Sequence, residues 1–363
     1  MAQPITKNRT KEDLKFPEFE DIKVSTKTYT ATTNLTINIK ELFEYLPVTP
    51  YVVIAKRRGR KKKCELTDPN NNIPEGSIIT IKCEGELRGV ELKPKKLKNG
   101  IKKKWFRNSI TVVIILDKPI NFKICRNGTF QMTGCKTHEH AEQCIKYIWK
   151  YIKDGNDDPT PVGGVQRTLN PDGGVQRTLN PVGGPRVLTP VGGVQRTLNP
   201  VGGVQRTLYT FTRGTTLETL FIPSMRNIDF SVGFLVDREK LNRYMSTQDK
   251  FHCLLETSFG YTGVNIKIPL ENDIATMDVK KMTFGVDGVW SEIWTTYQEY
   301  LDILTPKERA IKLASERYNT FLVFHSGKII HSGLTENFMR DVYYYFLTIM
   351  RDCFDSVEER LEN

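Results

Sequence analysis

Residues 320–333 read TFLVFHSGKIIHSG, and this stretch decides the fold. β-Branched and aromatic residues lie on both sides of Ser326 and Gly327, which is typical of two antiparallel strands joined by a tight turn. The apolar residues after Gly333 recur at helical spacing and are Phe338, Val342, Tyr345, Phe346 and Ile349. The stretch therefore predicts a strand hairpin followed by a long helix.

The first half of the chain carries a second version of this pattern. NGTFQMTG (127–134) parallels SGKIIHSG (326–333), and LRGVELK (87–93) parallels YTGVNIK (261–267). Behind Gly134, with Thr137 as a cap, the apolar residues at helical spacing are Ala141, Cys144, Ile145, Ile148 and Ile152. The chain is thus predicted to use one unit twice.

The front of each unit also matches. Residues 24–33 and 228–234 have strand composition, and each leads into a short amphipathic helix, one capped by Asn38 with Glu41 and one by Asp237. Further strands are predicted at 78–93, 110–116 and 119–133, and at 251–268, 320–325 and 328–332. The repeated order is strand, helix, several antiparallel strands and a long helix, which indicates an α+β fold.

A low-complexity segment separates the two units. PVGGVQRTLN recurs with a period of about ten residues between Pro161 and Leu208, and its Gly-Gly and Asn-Pro steps favour a flexible linker. The predicted organisation is a tail at 1–21, a first half at 22–153, a linker at 154–208 and a second half at 209–363. Within 269–318 we predict a helical insertion, because the apolar residues Val289, Ile293, Tyr297, Tyr300 and Leu304 follow helical spacing beside Trp290 and Trp294.

The positive charge is concentrated in two runs. The net charge is +11, and KRRGRKKK (56–63) and KPKKLKNGIKKKWFR (93–107) supply much of it. Such runs favour nucleic acid or an anionic surface as partner, although a solvated charged loop has the same composition. Seven cysteines without a CxxC pair, no apolar signal segment and no run of about 18 apolar residues indicate a soluble intracellular protein.

The order of elements and the stretch 320–333 resemble the TATA-binding protein family. SMRNIDFSV (224–232) is similar to the opening strand of that family's second half, and the likeness covers roughly 22–152 and 221–352. The resemblance implies a curved antiparallel sheet, or saddle, with helices on its convex side. The long linker, the basic run 56–63 and the segment 269–318 have no counterpart in the family. That divergence, and a composition rich in Lys, Asn and Ile, suggest the TATA-binding-like proteins of large DNA viruses.

The resemblance implies a DNA-binding surface on the concave side of the sheet. Phe324 and Tyr261 match the side chains that wedge into base steps, Asn227 matches an asparagine that donates to bases, and Ser332 and Thr133 match paired hydroxyls. Lys93, Lys267 and Lys328 stand where the family contacts phosphates, and Arg57, Arg58 and Lys61 in the basic run extend that role.

In the first half, the matching positions carry other residue types than those of the family. Leu87 and Cys125 take the wedge positions and Thr26 stands in for the asparagine, while strand alternation puts Phe122 on the face opposite Cys125. The competing interpretation of all these residues is ordinary sheet core. The set Cys135, His138, His140 and Cys144 offers zinc ligands by type, but a helix there points 138 and 140 about 200° apart, so we expect no metal.

The sequence contains no nucleophile elbow, Walker loop or other catalytic motif, so we expect a non-enzyme without a cofactor. The predicted function is a monomeric transcription initiation factor that bends A·T-rich double-stranded DNA. By resemblance its partners are a factor-IIB-like protein and RNA polymerase, in the nucleus, a cytoplasmic viral factory or a virion. Two alternatives remain open: an architectural nucleoprotein without promoter choice, and a DNA-processing enzyme that uses this fold as a platform.

Overall fold

The computed structural model describes residues 10–53, 69–92, 107–156, 207–248, 250–255 and 263–360. Thirteen of the described strands form one sheet, and every strand pair in it is antiparallel. The predicted α+β class is therefore confirmed. The ten-residue repeats, both basic runs except Arg107, and Tyr261 lie outside the described residues.

The first half follows the predicted order with one strand more than expected. Its elements are β1 (Val24–Thr33), β2 (Leu35–Ile37), α1 (Ile39–Tyr45), β3 (Ile78–Cys83), β4 (Glu86–Gly89), β5 (Ser109–Ile115), β6 (Pro119–Cys125), β7 (Thr129–Cys135) and α2 (His138–Ile152). The side chain of Asn38 accepts a hydrogen bond from the Glu41 amide, so the predicted cap of α1 is present.

The second half has the same order around an insertion. Its elements are β8 (Tyr209–Phe211), β9 (Leu217–Ser231), α3 (Arg238–Ser246), β10 (His252–Leu255), β11 (Gly263–Pro269), β12 (Asp278–Phe284), β13 (Trp290–Thr296), α4 (Tyr297–Asp302), α5 (Pro306–Ala314), β14 (Tyr318–Phe324), β15 (Lys328–Gly333), α6 (Glu336–Asp352) and α7 (Phe354–Val357). Short 3-10 turns at Lys11–Asp13, Phe19–Asp21 and Ile274–Thr276 complete the list.

The halves meet where β1 pairs with β9. Nine cross-strand pairs run from Val24 with Ile228 to Thr33 with Thr219. Outward from β1 the strand order is β7, β6, β5, β3 and β4, and outward from β9 it is β15, β14, β11 and β10. The two halves therefore repeat one strand order about their junction, with β4 as the additional edge strand of the first.

The long helices pack on one face of this sheet. Beneath α2, the first-half core contains Ile110, Val112, Phe122, Phe130 and Met132. Beneath α6, the second-half core contains Ile228, Phe230, Phe321, Val323 and Ile329. Because side chains alternate along a strand, the residues between these point to the other face.

A glycine in each hairpin brings the sheet close to the neighbouring backbone. Gly327, between β14 and β15, and Gly128, between β6 and β7, both have φ of +72°. A Cβ atom would lie 2.1 Å from the Phe234 carbonyl oxygen at Gly327 and 2.2 Å from the Leu35 carbonyl oxygen at Gly128. Both positions therefore require glycine for the same two reasons, which explains the shared hairpin motif of the two halves.

Residues 10–22, most of which the sequence assigned to a tail, pack on α6. Leu14, Phe19 and Ile22 are buried in the second-half core. The Tyr343 hydroxyl donates to the Pro17 carbonyl at 2.6 Å, and Arg340 pairs with Glu20 at 3.1 Å. This segment covers part of the outer surface of the second half.

The helical prediction for 289–304 is wrong over its first half. Residues 290–296 form β13, which pairs with β12 across a turn in which Gly288 has φ of +77°. Val289 and Ile293 are more than half exposed, so their spacing reflects no buried helical face. Trp and β-branched residues favour a strand here, and the helix begins only at Tyr297. The following helix is as predicted: Thr305 and Glu308 form the capping box of α5 and Pro306 occupies its first turn.

The insertion is fastened to both halves. Leu220 and Ile222 of β9 pack against Val279, Tyr297 and Leu301. The Lys280 ammonium lies 2.6 Å from Glu142 on α2 and 2.9 Å from Glu292 on β13, and the side chains of Lys280 and Glu142 are only 10% and 8% exposed. A buried ion pair thus holds the insertion against the first half.

We expect the substitution Lys280→Met to destabilise the protein by about 3 kcal/mol, because it leaves the buried Glu142 carboxylate without its main partner. The double variant Lys280→Met with Glu142→Leu should recover most of that loss, since neither charge then remains. The free energy of unfolding from urea titrations checks both. Equal losses in the single and double variants would contradict this view of the pair.

His331 on β15 is a buried neutral ring. It stacks on Phe321 with ring centroids 4.0 Å apart, and its Nε2 lies 3.0 Å from the Asn319 side-chain oxygen. Burial, with the nearby Arg226 guanidinium, lowers the pKa of His331 to about 3. In the unfolded chain a histidine has a pKa of about 6.5. Below that pH the unfolded state binds a proton at His331 and the folded state does not.

Stability should therefore fall as pH drops from about 6.5 to 5, by up to about 1.4 kcal/mol per pH unit from this group. The substitution His331→Phe retains an aromatic ring and removes the titration, so the pH dependence in that window should flatten even if stability at pH 7 is lower. Unfolding free energies measured at pH 7, 6 and 5 test this. An unchanged slope in the variant would show that His331 is not the group responsible.

Candidate nucleic-acid interface

One face of the sheet carries no long helix, and we call it the open face. In β9, Ile228 and Phe230 pack beneath α6, so Asn227, Asp229 and Ser231 point to the opposite side. Residues directly paired across two strands share a face, which extends this assignment from strand to strand.

Four strands of the second half contribute the following eleven side chains to the open face, all half-buried or exposed. They are Asn227, Asp229 and Ser231 on β9; Lys328, Ile330 and Ser332 on β15; Thr320, Leu322 and Phe324 on β14; and Asn265 and Lys267 on β11. Hydroxyl, amide and apolar groups dominate, with two lysines and one carboxylate.

The first half contributes a similar surface, in which Lys82 of β3 pairs with Thr111 and so also lies on the open face. Further open-face residues are Thr26, Thr28 and Thr30 on β1; Gln131 and Thr133 on β7; Asn121, Lys123 and Cys125 on β6; and Ser109 and Thr111 on β5. Together the two surfaces form a broad band of small polar and apolar groups.

The insertion limits this band on one side. Ile222 pairs with Thr30 and Leu220 pairs with Thr32, so both lie on the open face of the sheet. The insertion buries them against Tyr297 and Leu301. The accessible part of β9 is therefore its C-terminal part, beyond the unpaired Ser224.

Phe324 lies where its sequence motif placed it. It ends β14, pairs with Gly263 of β11 and is half-buried on the open face. Around it is a depression of about 1020 Å³, lined also by Asp229, Lys328 and Ile330. An apolar ring is thus presented beside a cation in an accessible hollow.

Cys125 is the first-half counterpart of Phe324. Cys125 pairs with Ser109 as Phe324 pairs with Gly263, and each residue ends its strand. Burial raises the pKa of the Cys125 thiol, so it is a neutral, small group. Phe122 is buried and stacks on Phe130 with ring centroids 6.4 Å apart, which confirms the predicted alternation.

Leu87 does not occupy the position assigned to it. The similarity of 87–93 to 261–267 suggested that both segments adjoin the wedge strand, but Leu87 lies on β4, which pairs only with the outer strand β3. The strand beside β6 is β5. Gly263 and Ser109 are the matching residues of the two strands. Tyr261 precedes Gly263 by two residues in the sequence, and Arg107 precedes Ser109 by two, so Arg107 corresponds to Tyr261. The edge strand β4, which has no counterpart among the described residues of the second half, caused the misalignment.

Thr26 is likewise a neighbour of Asn227 rather than its counterpart. Asn227 pairs with Ser332 on one side and Thr26 on the other. In the first half, Thr133 lies opposite a bulge at which β1 contributes Thr28, between Lys27 and Tyr29. Thr28 therefore matches Asn227, and the bulge could not be seen in the sequence.

Asn227 and Thr133 differ in their hydrogen bonding. The side-chain oxygen of Asn227 is buried and has no partner among the described residues. The Thr133 hydroxyl donates to the Asn121 carbonyl at 3.3 Å. Ser332 pairs with Thr320 as Thr133 pairs with Asn121, so the register supports the predicted match of these two hydroxyl residues.

Lysines mark the outer parts of the open face. Lys267 and Lys328 are exposed, and the Lys267 ammonium lies 5.5 Å from the Tyr318 ring centroid. Sequence reasoning missed Lys123, although alternation about the buried Phe122 and Ile124 could have indicated it. Lys93, Arg57, Arg58, Lys61 and Tyr261 were also predicted to contact DNA, and they lie outside the described residues.

The cysteine and histidine set at the start of α2 is dispersed. Cys135 and Cys144 are buried, and His138 packs on Tyr29 and Trp294 with centroids 4.7 and 5.4 Å apart. His140 faces Asp117 at 3.0 Å. Across the described ranges, no three His, Cys, Asp or Glu side chains are arranged to hold a metal ion.

The chain is similar in sequence to a curated viral protein and, weakly, in structure to a solved protein. No protein-family model matches it. It is 26% identical over 270 residues to the uncharacterized protein 335L of Invertebrate iridescent virus 6, a match that covers 71% of this chain and 65% of that relative. The matched region thus spans slightly less than two thirds of the relative's length.

Among solved structures, the TBP of Methanococcus jannaschii is 12% identical, with a TM-score of 0.38 over 93% of this chain and 99% of that one. The fold described above accordingly rests on the strand order and register of this chain. None of the helices within the described ranges is long and apolar enough to cross a membrane.

Proposed function

We propose that this protein binds double-stranded DNA through its open face, lies in the minor groove of A·T-rich sites and bends them. The observation that carries the proposal is the open face itself. It is a wide sheet surface of hydroxyl, amide and apolar side chains with a few lysines, and Asp229 is the one carboxylate among the residues named above. Such a surface is wet in the free protein and can contact an extended partner without rearranging the core.

The chemistry of the open face suits the minor groove. A·T pairs offer only the acceptors A N3 and T O2 there. The hydroxyls of Thr28, Thr133 and Ser332 and the amide of Asn227 can donate to such acceptors. Small side chains along the middle strands allow the groove floor to approach closely, and the lysines on the outer strands can meet phosphates.

The two ends of the open face differ in the side chain that would insert between base pairs. Phe324 supplies a rigid ring, whereas Cys125 supplies a small thiol and Arg107 stands where the second half has Tyr261. A base step opened by unstacking is stabilised by an apolar side chain that fills it, and a cysteine fills little. The proposal therefore includes one strong kink at the second-half end and a shallow one at the other.

Recruitment of transcription machinery completes the proposal. The resemblance of 320–333 and 224–232 to the TATA-binding protein family supports it, with a factor-IIB-like protein and RNA polymerase as partners. Within this proposal, the open face serves binding rather than catalysis. If A·T-rich and G·C-rich duplexes bound equally well, the protein would instead be an architectural nucleoprotein.

Selection of bound duplexes from a random pool tests the proposal most directly. The selected sites should be A·T-rich, and circular-permutation mobility should show them bent in the complex. Retention of random sequences without bending would contradict minor-groove recognition.

The substitution Phe324→Ala should weaken binding by on the order of 1–3 kcal/mol, the range for one aromatic–base contact, and should remove most of the bend. The matched variant Cys125→Ala should change both little. Fluorescent base analogues at each end of the selected site report unstacking directly. Equal unstacking at both ends, or an unchanged bend in Phe324→Ala, would refute the unequal-wedge arrangement.

The dependence of DNA affinity on salt concentration tests whether the open-face lysines contact phosphates. Each phosphate contact in duplex DNA contributes about 0.9 to the slope of log affinity against log salt. Lys267→Ala and Lys328→Ala should each flatten that slope by about 0.9, whereas Lys40→Ala, an exposed residue on α1 of the helical face, should leave it unchanged. A uniform slope in all three variants would remove the open-face lysines from the interface.

A further inference from the structure

Asp229 differs from the other open-face residues in its negative charge. It is exposed, pairs with Ile330 in the sheet and is the one carboxylate among the open-face residues named above. Within the part of the chain that the structure describes, its side chain makes no ion pair and no hydrogen bond. The depression around Phe324 and Lys328 includes it.

A carboxylate that faces the minor groove meets almost only unfavourable groups. The phosphates repel it, and the A N3 and T O2 atoms are acceptors that cannot pair with another acceptor. The groove floor contains one donor, the N2 amino group of guanine. Asp229 is therefore compatible with bound DNA where a G·C pair presents that amino group.

A second unsatisfied acceptor lies on the same strand and face. The side-chain oxygen of Asn227, two residues before Asp229, has no partner within the described ranges. The matching first-half residues are threonines: Thr28 stands for Asn227, and Thr30, which pairs with Gln131 as Asp229 pairs with Ile330, stands for Asp229. The Thr30 hydroxyl already shares a hydrogen bond of 2.8 Å with Ser224. At these two matched positions, the amide and the carboxylate thus occur only in the second half.

We propose that the recognised site is asymmetric in sequence, with a G·C pair against Asp229 whose guanine N2 amino group donates to that carboxylate. The first half reads A·T pairs only. This inference rests on the proposed function, and it makes Asp229 a specificity-determining residue. It also orients the protein on the DNA, because only one half can accept the G·C pair.

Four duplexes that differ at one base pair test the inference. They carry G·C, inosine·C, A·T or 2,6-diaminopurine·T at the conserved pair of the selected site; the first and last have the minor-groove amino group, and the others lack it. The full chain should bind the two amino-bearing duplexes about tenfold more tightly, within the range of one good base contact.

Variants of the exposed strand identify the residue responsible. Asp229→Val should bind all four duplexes within about twofold, with A·T and inosine·C bound more tightly than by the unaltered protein because the repulsion is gone. Lys40→Ala, on the helical face, should keep the tenfold preference. Thermal unfolding of each variant confirms that the fold is intact.

Equal binding of G·C and inosine·C, a preference that survives in Asp229→Val, or selected sites without any G·C pair would each overturn the inference. Those results leave the proposed function standing if the DNA is still bound and bent. Absence of bending and of salt-dependent binding to every duplex would instead remove the proposed function itself.

Discussion

The pairing of β1 with β9 is the contact on which the rest of the structure depends. It runs along nine residue pairs and joins two halves that are distant in sequence into one continuous sheet. Because paired residues share a face, this junction also puts the open faces of the two halves side by side. The bulges along it, at Ser25 and Ser224, shift the alternation so that Thr26 comes to lie beside Asn227. A change of register by one residue here would turn one of the open faces toward the helices.

The two halves share one strand order and differ in the segments that are added to it. The insertion extends β9 with two further strands, and the buried Lys280–Glu142 pair ties it to the first half. Residues 10–22 are added only to the helix of the second half. On the open face, the second half has Phe324 and Asp229 where the first half has Cys125 and Thr30. The two halves thus share a strand order but end in chemically different groups, as the proposed recognition of an asymmetric DNA site requires.

The helical face and the open face take chemically different side chains from the same strands. On β15, His331 is neutral and stacked in the core, while the adjacent Ser332 faces the open side. On β14, Phe321 and Phe324 are three positions apart and therefore point to opposite faces, so Phe321 packs in the core and Phe324 lies on the open face. Substitutions on the open face can therefore be expected to alter recognition with little effect on stability.

The sequence alone determined the local elements and which side chains alternate: the hairpin at 320–333, both long helices, the Thr305 capping box and the face on which Phe324, Cys125 and Phe122 lie. These follow from periodicity and turn chemistry, which act over a few residues. Only the tertiary structure decided which strands are neighbours. It placed β5 rather than 87–93 beside β6, matched Asn227 with Thr28 across a bulge, and made β13 a strand because β12 was there to pair with it. Strand pairing depends on segments that are far apart in the sequence. The alternation of apolar and polar residues therefore indicates which face of the sheet a residue lies on, but it does not indicate which strand is adjacent.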